Sequence, residues 1–434
     1  MAQLPTGPYR GTRDFLPEEM SIRTQIFEKL FRTVELFGFR RYDGPVLESA
    51  AIYEAKSGKE IVDEQMYRLT DKKGRELALR PEMTPSIARI IAGNQNEILF
   101  PSRWYSHANC HRYERPQRGR VREHWQLNVD IFGSEELTAE IEMFDLISTI
   151  MTSLGADQSM YVIRVNDRIL LESALRNYVE VRDDDMSDVG MVIDRWEKVE
   201  PEKRRENLEN IGLKFGQIEK LEELIDLKLE SFAEAAGKEV AAQSRIVRIV
   251  RDNLSEAPLH FDPHIIRAFD YYTSTVFEVF DLSPNNRRSL FGGGRYDNLT
   301  SLFSDRKISG IGCGMGDVTT WNFLETNGLL PKPDLSPEVY VFGTSDEYRS
   351  VIQSITRNLR GSNIRTVPAL NIPTPREGFR FADKLGALFA LIVGDTEYDS
   401  RTVSVKNLKT SQQITVPHME IVSYINQALN DSNS

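Results

Sequence analysis

Apolar and polar positions change period several times along this chain, and each change marks an element. Residues 18–37, EEMSIRTQIFEKLFRTVELF, carry apolar side chains at helical spacing until Gly38 stops the pattern. Residues 60–170 are rich in extended runs, QMYRLTD, ELALRP, RWYSHANCHRYER and VREHWQLNVDIFG, parted by turn residues. A helical pattern resumes from Ala139 to Leu154. From about 180 to 258 the composition turns charged, as in GQIEKLEELIDLKLESFAEAAGKEVAAQ. That stretch reads as a helical insertion, because strand signals return at DYYTSTVFEVFD (270–281). LLPKPDLSPE (329–338) places three prolines in ten residues and reads as a linker. Beyond it VYVFGT, EYRSVIQSITRNLR, IRTVPA, GFRFADKLG, ALFALIVG and RTVSVKNL alternate strand with helix, which predicts a small α/β module.

The run after Gly119 has the clearest period of two. One parity holds Arg122, His124, Gln126, Asn128 and Asp130; the other holds Val121, Glu123, Trp125, Leu127, Val129 and Ile131, apolar apart from Glu123. Either the polar parity is a solvated sheet face, or it is a ligand face mixing cations, a carboxylate and an amide. Alternation alone leaves both open. Just upstream, HRYERPQRGRVRE (111–123) sets five arginines around a turn at Pro116 and Gly119. LALRPEMTPSIARI (77–90) gives Arg80, Glu82 and Thr84 one parity, or else an ordinary strand end with a helix beginning near Pro85.

Two glycine-rich stretches are equally open. FGGGRYDNL (291–299) is read as a hairpin turn or bulge, or as a close approach of backbone to ligand. GIGCGMGD (310–317) matches neither a GxGxxG fingerprint nor a Walker loop. In HANCH, Cys110 faces away from His107 and His111 in extended chain, so these three are not read as a metal site.

Composition narrows the class. A chain of 434 residues predicts two or three domains. The formal net charge of −11 means that any nucleic acid must meet a local basic surface. Two cysteines supply no disulfide framework and suit a reducing compartment. The first residues, MAQLPTGPYRGTRDFLPEE, lack the apolar core of a signal peptide, and ALFALIV (387–393) is far too short to span a bilayer. The expectation is a soluble cytoplasmic protein without a membrane partner.

Taken in order, RGTRDFLPEE, LRPEMTPSIAR, HRYERPQRGRVREHWQLNVDIFG, RAFDYYTSTVFE and GGGRYDNL resemble the histidyl-tRNA synthetases. The tail FADKLGALFALIVGDTEYDSRTVSVKNLKT is similar to that family's anticodon-binding domain. The resemblance implies an α+β catalytic core of class II type, an antiparallel sheet with flanking helices. To that core it adds the helical insertion and a C-terminal α/β anticodon-binding domain. GFRRYDGPVLE (38–48) resembles the motif of the dimer interface, with Pro45 at its proline, so a homodimer is expected. Expected boundaries are core 1–179, insertion 180–258, core 259–330, linker 331–337 and anticodon-binding domain 338–434.

The activity so implied joins L-histidine and ATP as histidyl-adenylate and then transfers histidine to tRNA-His. Arg112 and Arg267 match arginines gripping the α-phosphate from two sides. Glu114 matches the residue reading the adenine amino group, and Arg122 would reach toward the terminal phosphates. Glu82 and Thr84 match positions holding the substrate's amino group. Gln126 resembles a contact to the amino acid, and Asp130 stands where the family usually has a glutamate facing the imidazole. Tyr271 and Tyr272 match the aromatic pair shaping that pocket, with Tyr296 nearby. Arg115, Gln117, Arg118 and Arg120 are candidates for the acceptor end of tRNA. Mg²⁺ is expected with ATP, without assigned ligands and with no role for Glu82. No tightly bound cofactor is expected.

Three departures stand out. The family carries a Gly-Leu-Glu-Arg run in its third motif, whereas here Asp317, Val318 and Thr319 follow Gly316 and the arginine is missing. His124 holds the place of a phenylalanine that stacks on adenine, and Met83 replaces a glycine between Glu82 and Thr84. These changes raise a rival reading, a non-catalytic regulatory subunit of ATP phosphoribosyltransferase built on the same core. A third class, an RNA-binding paralogue, would not need the histidine pocket.

Overall fold

The computed structural model describes residues 4–55, 57, 61–266, 271–286 and 289–433. They form two compact units, residues 1–332 and 333–434. The first is organised by an eight-stranded sheet: β1 (Arg40–Arg41), β2 (Ser102–His111), β3 (Glu123–Phe132), β4 (Tyr161–Asp167), β5 (Leu259–Phe261), β6 (Thr275–Asp281), β7 (Ser289–Arg295) and β8 (Gly310–Gly316). Spatial order is β1-β2-β3-β8-β7-β6-β4-β5. Every inner pairing is antiparallel, and only the two short edge strands run parallel to their neighbours.

The period-two reading of the third strand holds. Leu127, Val129 and Ile131 enter a core built with α1 (Pro17–Leu36) and the helix Thr138–Ser153, through Ile26, Leu30, Val34, Phe144 and Ile147. On the opposite parity Asn128 and Asp130 are also buried, so this is no solvated face. The strand-end reading of Arg80 holds instead of the shared parity. Its guanidinium bonds the carbonyls of Gly44 and Asn109 (2.8 Å each), while the following helix runs Thr84–Gly93. Cys110 packs with Met83 and Ala108, whereas His107 stacks near Phe27 on the other side of β2.

The helical stretch begins at Arg168–Ala174 and ends at Arg245–Arg251, earlier than the composition shift near 180 suggests. Its opening turns carry Leu170, Leu171, Ala174 and Leu175, which pack with Leu221, Leu224 and Phe232 in a separate core. The later turns, such as Pro201–Ile211 and Phe215–Ile225, carry the denser charge that marks the insertion in sequence.

The glycine triplet is neither a turn nor a loop. Gly292, Gly293 and Gly294 lie inside β7, with a register irregularity between Ser289 and Phe291. The alternating glycines of 310–316 likewise form β8, and the helix following it begins at Asp317.

The second unit carries a five-stranded sheet ordered Thr366–Pro368, Val339–Gly343, Phe389–Val393, Thr402–Asn407, Gln413–Pro417. The first three strands are parallel and the last two antiparallel. Helices Arg349–Gly361 and Ile421–Asn433 cover one face through Ile355, Leu359, Ile421 and Ile425. Strand and helix alternate as their hydrophobic pattern predicts.

Candidate active site

One face of the large sheet lines a cavity of about 270 Å³. Glu82, Thr84, Arg112, Glu114, Arg120, His124, Gln126, Asp130, Tyr271, Tyr272 and Tyr296 all border it. Eleven side chains singled out in sequence, from positions 82 to 296, therefore meet in one place. Arg267 lies outside the described residues.

Two carboxylates are held at the closed end. Glu82 is buried and accepts from Ser57 Oγ at 2.6 Å and from the Tyr271 hydroxyl at 3.1 Å. Tyr271 and Tyr272 meet with ring centroids 4.7 Å apart, and Tyr296 stands edge-on to Tyr271 at 6.0 Å. Asp130 accepts the Tyr296 hydroxyl through Oδ1, and its Oδ2 is buried without a hydrogen-bond partner among the described residues. Burial in this apolar cage pushes the Asp130 carboxyl up to about 7, with the Tyr296 hydrogen bond working against that rise. Burial, followed by the charge of Asp130, pushes the Tyr296 phenol up as well.

The glycines of β8 make room for this end. A Cβ at Gly312 would collide with Asp130 Oδ1 and stand 2.8 Å from the Tyr296 hydroxyl; one at Gly314 would collide with Gln126 Nε2. Gly312 pairs with Asp130, and Gly314 with Asn128, in the β3–β8 register. The sequence cue, glycine at alternate positions, thus marks a strand over which polar side chains lie flat.

At the other end the ligands are cations and backbone. Arg112 stands one residue beyond β2, where its Nε donates to the Pro81 carbonyl at 2.9 Å. Its backbone N–H donates to the Arg122 carbonyl at 3.0 Å, which carries the β2–β3 ladder toward the loop. Glu114 Oε2 pairs with Arg120 Nε at 3.3 Å. His124 is neutral at ordinary pH, since burial and then the neighbouring Arg112 charge bring its pKa down to about 4. At a place resembling an adenine-stacking position it presents an uncharged aromatic ring.

Four candidates stand elsewhere. Arg122 does not border this cavity: Nη1 donates to the Tyr9 hydroxyl at 2.6 Å, and its guanidinium lies over the Tyr113 ring at 4.0 Å. With Arg115, Gln117, Arg10 and again Arg120 it lines a second cavity of about 620 Å³. Arg118 borders neither and is exposed on the loop.

The place of the missing arginine has its own construction. Thr319 donates its hydroxyl to the Leu290 carbonyl and, with Val318, borders the cavity. Asp317 is buried and accepts from Arg13 Nη2 at 2.8 Å, Arg23 Nη1 at 2.5 Å and the Trp125 backbone N–H at 3.0 Å. The start of the helix after β8 is thereby fastened to β3 and to the N-terminal segment. In sequence Asp317 is visible only as a departure from the family's motif; its two arginine partners lie about three hundred residues away, at 13 and 23.

Residues 11–316 match the family model for histidyl-tRNA synthetase, and residues 338–428 match the model for an anticodon binding domain. The chain belongs to the histidyl-tRNA synthetase family. Among relatives, the histidine–tRNA ligase of Leptospira biflexa is 36% identical over 98% of this chain and 99% of its own length. That of Pyrococcus abyssi is 34% identical over 97% and 99%. The solved histidyl-tRNA synthetase from Nostoc superposes with a TM-score of 0.80 at 22% identity, covering 98% of this chain and all of its own. A Bacillus halodurans structure described as an ATP phosphoribosyltransferase regulatory subunit/histidyl-tRNA synthetase gives 0.72 at 21% identity, over 91% and 99%. These two structures share the class II fold; the full-length relatives carry the family assignment.

Proposed function

We propose that this chain is a histidine–tRNA ligase that uses ATP to activate L-histidine and charges tRNA-His. The single observation that carries this reading is one cavity with buried carboxylates and tyrosines at one end and Arg112, Glu114 and His124 at the other. A histidine carboxylate oxygen attacks the α-phosphorus of ATP, the bond to the bridging oxygen breaks, and pyrophosphate leaves with the electron pair. Negative charge builds on the phosphoryl oxygens in that step, and a fixed guanidinium at Arg112 stabilises it without reorganising. By resemblance Arg267 acts from the opposite side. A terminal ribose hydroxyl of the tRNA then attacks the acyl carbon and AMP leaves.

Glu82 accepts the substrate ammonium group in this reading, Asp130 accepts an imidazole N–H, and Gln126 orients the amino acid. Buried acceptors of this kind reject an analogue lacking the matching donor, because they are then left unpaired. Arg115, Gln117, Arg118 and Arg120 face the acceptor end of tRNA. Magnesium enters with ATP as part of the substrate; it keeps most of its ligands as phosphates and water. Among the described residues no three carboxylate, imidazole or thiol groups converge as a resident metal site. Val46 and Leu47, apolar and exposed within the first-motif segment just after Pro45, support a homodimer through that edge. Neither Cys110 nor Cys313 is in a disulfide, which supports a reducing, cytoplasmic setting, and no described helix is long and apolar enough to cross a membrane.

Histidine-dependent ATP–pyrophosphate exchange tests the reading. The parent protein shows exchange, and Arg112→Ala and Arg267→Ala each abolish it. Thr319 at the arginine's place favours the regulatory reading; histidine binding without any exchange in the parent would establish that alternative.

A further inference from the structure

Behind the closed end of the cavity, three polar side chains converge without a hydrogen bond between them. Asp130 Oδ2, Ser106 Oγ and the Tyr42 hydroxyl are all buried, and none has a hydrogen-bond partner among the described residues. Their positions follow from the sheet. In the β2–β3 register Ser106 opposes Asn128 and Trp104 opposes Asp130, so Ser106 and Asp130 are diagonal neighbours on one face. Tyr42 follows β1 beside β2; its backbone N–H donates to the Tyr105 carbonyl at 2.9 Å and its ring packs on Trp104 at 5.6 Å. In the parallel β1–β2 pairing Arg41 opposes Tyr105, so Tyr42 comes beside Ser106, and neither hydroxyl has a hydrogen-bond partner among the described residues.

Three unpaired polar atoms in one buried spot are costly, and such a spot is where an ordered water finds the ~2–4 partners it needs. On the other side, Asp130 is confined: Gly312 leaves no space for even a methyl group beside Oδ1, which Tyr296 already holds. We propose that Tyr42 and Ser106 hold an ordered water against Asp130 Oδ2, which makes Tyr42 a positioning residue for histidine recognition. The water fixes the second carboxylate oxygen as Tyr296 fixes the first. The carboxylate plane then meets the substrate imidazole in one orientation. Tyr42 does not border the cavity itself, so it acts through Asp130 and not by touching substrate.

This inference rests on reading the cavity as the histidine site, and the experiment separates the two. Calorimetry measures Kd for L-histidine and, separately, for ATP in the parent, in Tyr42→Phe, in Ser106→Ala and in the double variant. Either single change raises the histidine Kd roughly tenfold, the scale of one lost hydrogen bond to a charged group, and leaves the ATP Kd in place. The double variant is no worse than the poorer single one, because both remove the same water. A crystal structure of the parent shows solvent density between the three side chains. Parent protein that binds no histidine overturns the site reading itself. Tight histidine binding in the parent overturns the water proposal if Tyr42→Phe leaves it unchanged, weakens both ligands equally, or adds fully to Ser106→Ala. Loss of thermal stability alone, without a change in the histidine Kd, also overturns it.

Discussion

The end of the cavity proposed for histidine and the end proposed for ATP are built from the same sheet by opposite means. At the first, Gln126, Asp130 and Tyr296 stand on or beside strands, close under glycines, and burial makes every polar contact count. At the second, Arg112, Glu114 and Arg120 stand on the loop beyond the strand ends, and a threonine occupies the place of an expected arginine. A neutral substrate group needs shape and a few unpaired acceptors. A polyphosphate needs charge, which a loop can deliver without a close fit.

The largest expected effect tests the charged end. Arg112→Ala lowers kcat/KM for pyrophosphate exchange by on the order of 10³-fold, the scale of removing a fixed donor at developing charge. If the ends are built as described, the histidine Kd moves little in that variant. The mirror test is Gly314→Ala, whose new methyl collides with Gln126. Displacing a substrate-positioning group by an ångström costs about 10²-fold, here in kcat/KM for histidine with the KM for ATP unchanged. Equal losses toward both substrates would erase the distinction between the two ends.

Next comes the fastening beneath the nucleotide end. Asp317 and Arg23 have side chains only 2% and 7% exposed, so Asp317→Ala leaves a buried guanidinium unpaired. Thermal or urea unfolding then reports a loss of about 3 kcal/mol. Because the same carboxylate anchors Trp125 of β3, the KM for ATP rises in the folded fraction while the histidine Kd holds. An unchanged melting temperature would deny Asp317 its structural role.

How much of this was legible in sequence depended on range. The period-two run from Arg122 to Ile131 revealed both faces of β3, since alternation is a local property. Glycine spacing did not disclose β7 and β8, because a glycine's usefulness there lies in what crosses it from neighbouring strands. The resemblance groups Glu82, Asp130 and Tyr271, and the fold brings them to one cavity. Ser106, Tyr42 and the Arg13–Asp317–Arg23 contacts were illegible for one reason: each partner is chosen by tertiary packing, and no local pattern carries it. Arg122 shows the converse. Its place in the motif pointed to phosphates, but Tyr9 and Tyr113, one of them far back in the chain, hold its guanidinium outside the cavity.

The smallest effect uses pH to separate the ends. Asp130 titrates near 7 in the folded protein because burial opposes its charge, whereas an unfolded aspartate titrates near ~3.9. Between those values the folded chain keeps a proton that the unfolded chain has lost, so this group's contribution to stability falls as pH rises through the window. Above about 7 both states are ionised and the contribution levels off. Asp130→Asn cannot ionise. The melting temperature of that variant, minus that of the parent, therefore climbs by a few degrees from acid pH toward neutrality and then flattens. Saturating L-histidine shrinks the climb in the parent, since an imidazole N–H placed on the carboxylate stabilises its ionised form. ATP leaves it untouched, because its site is formed by Arg112 and the loop. A difference flat across the whole range would mean that Asp130 is solvated, and the contrast between a buried end and an open, charged one would fall with it.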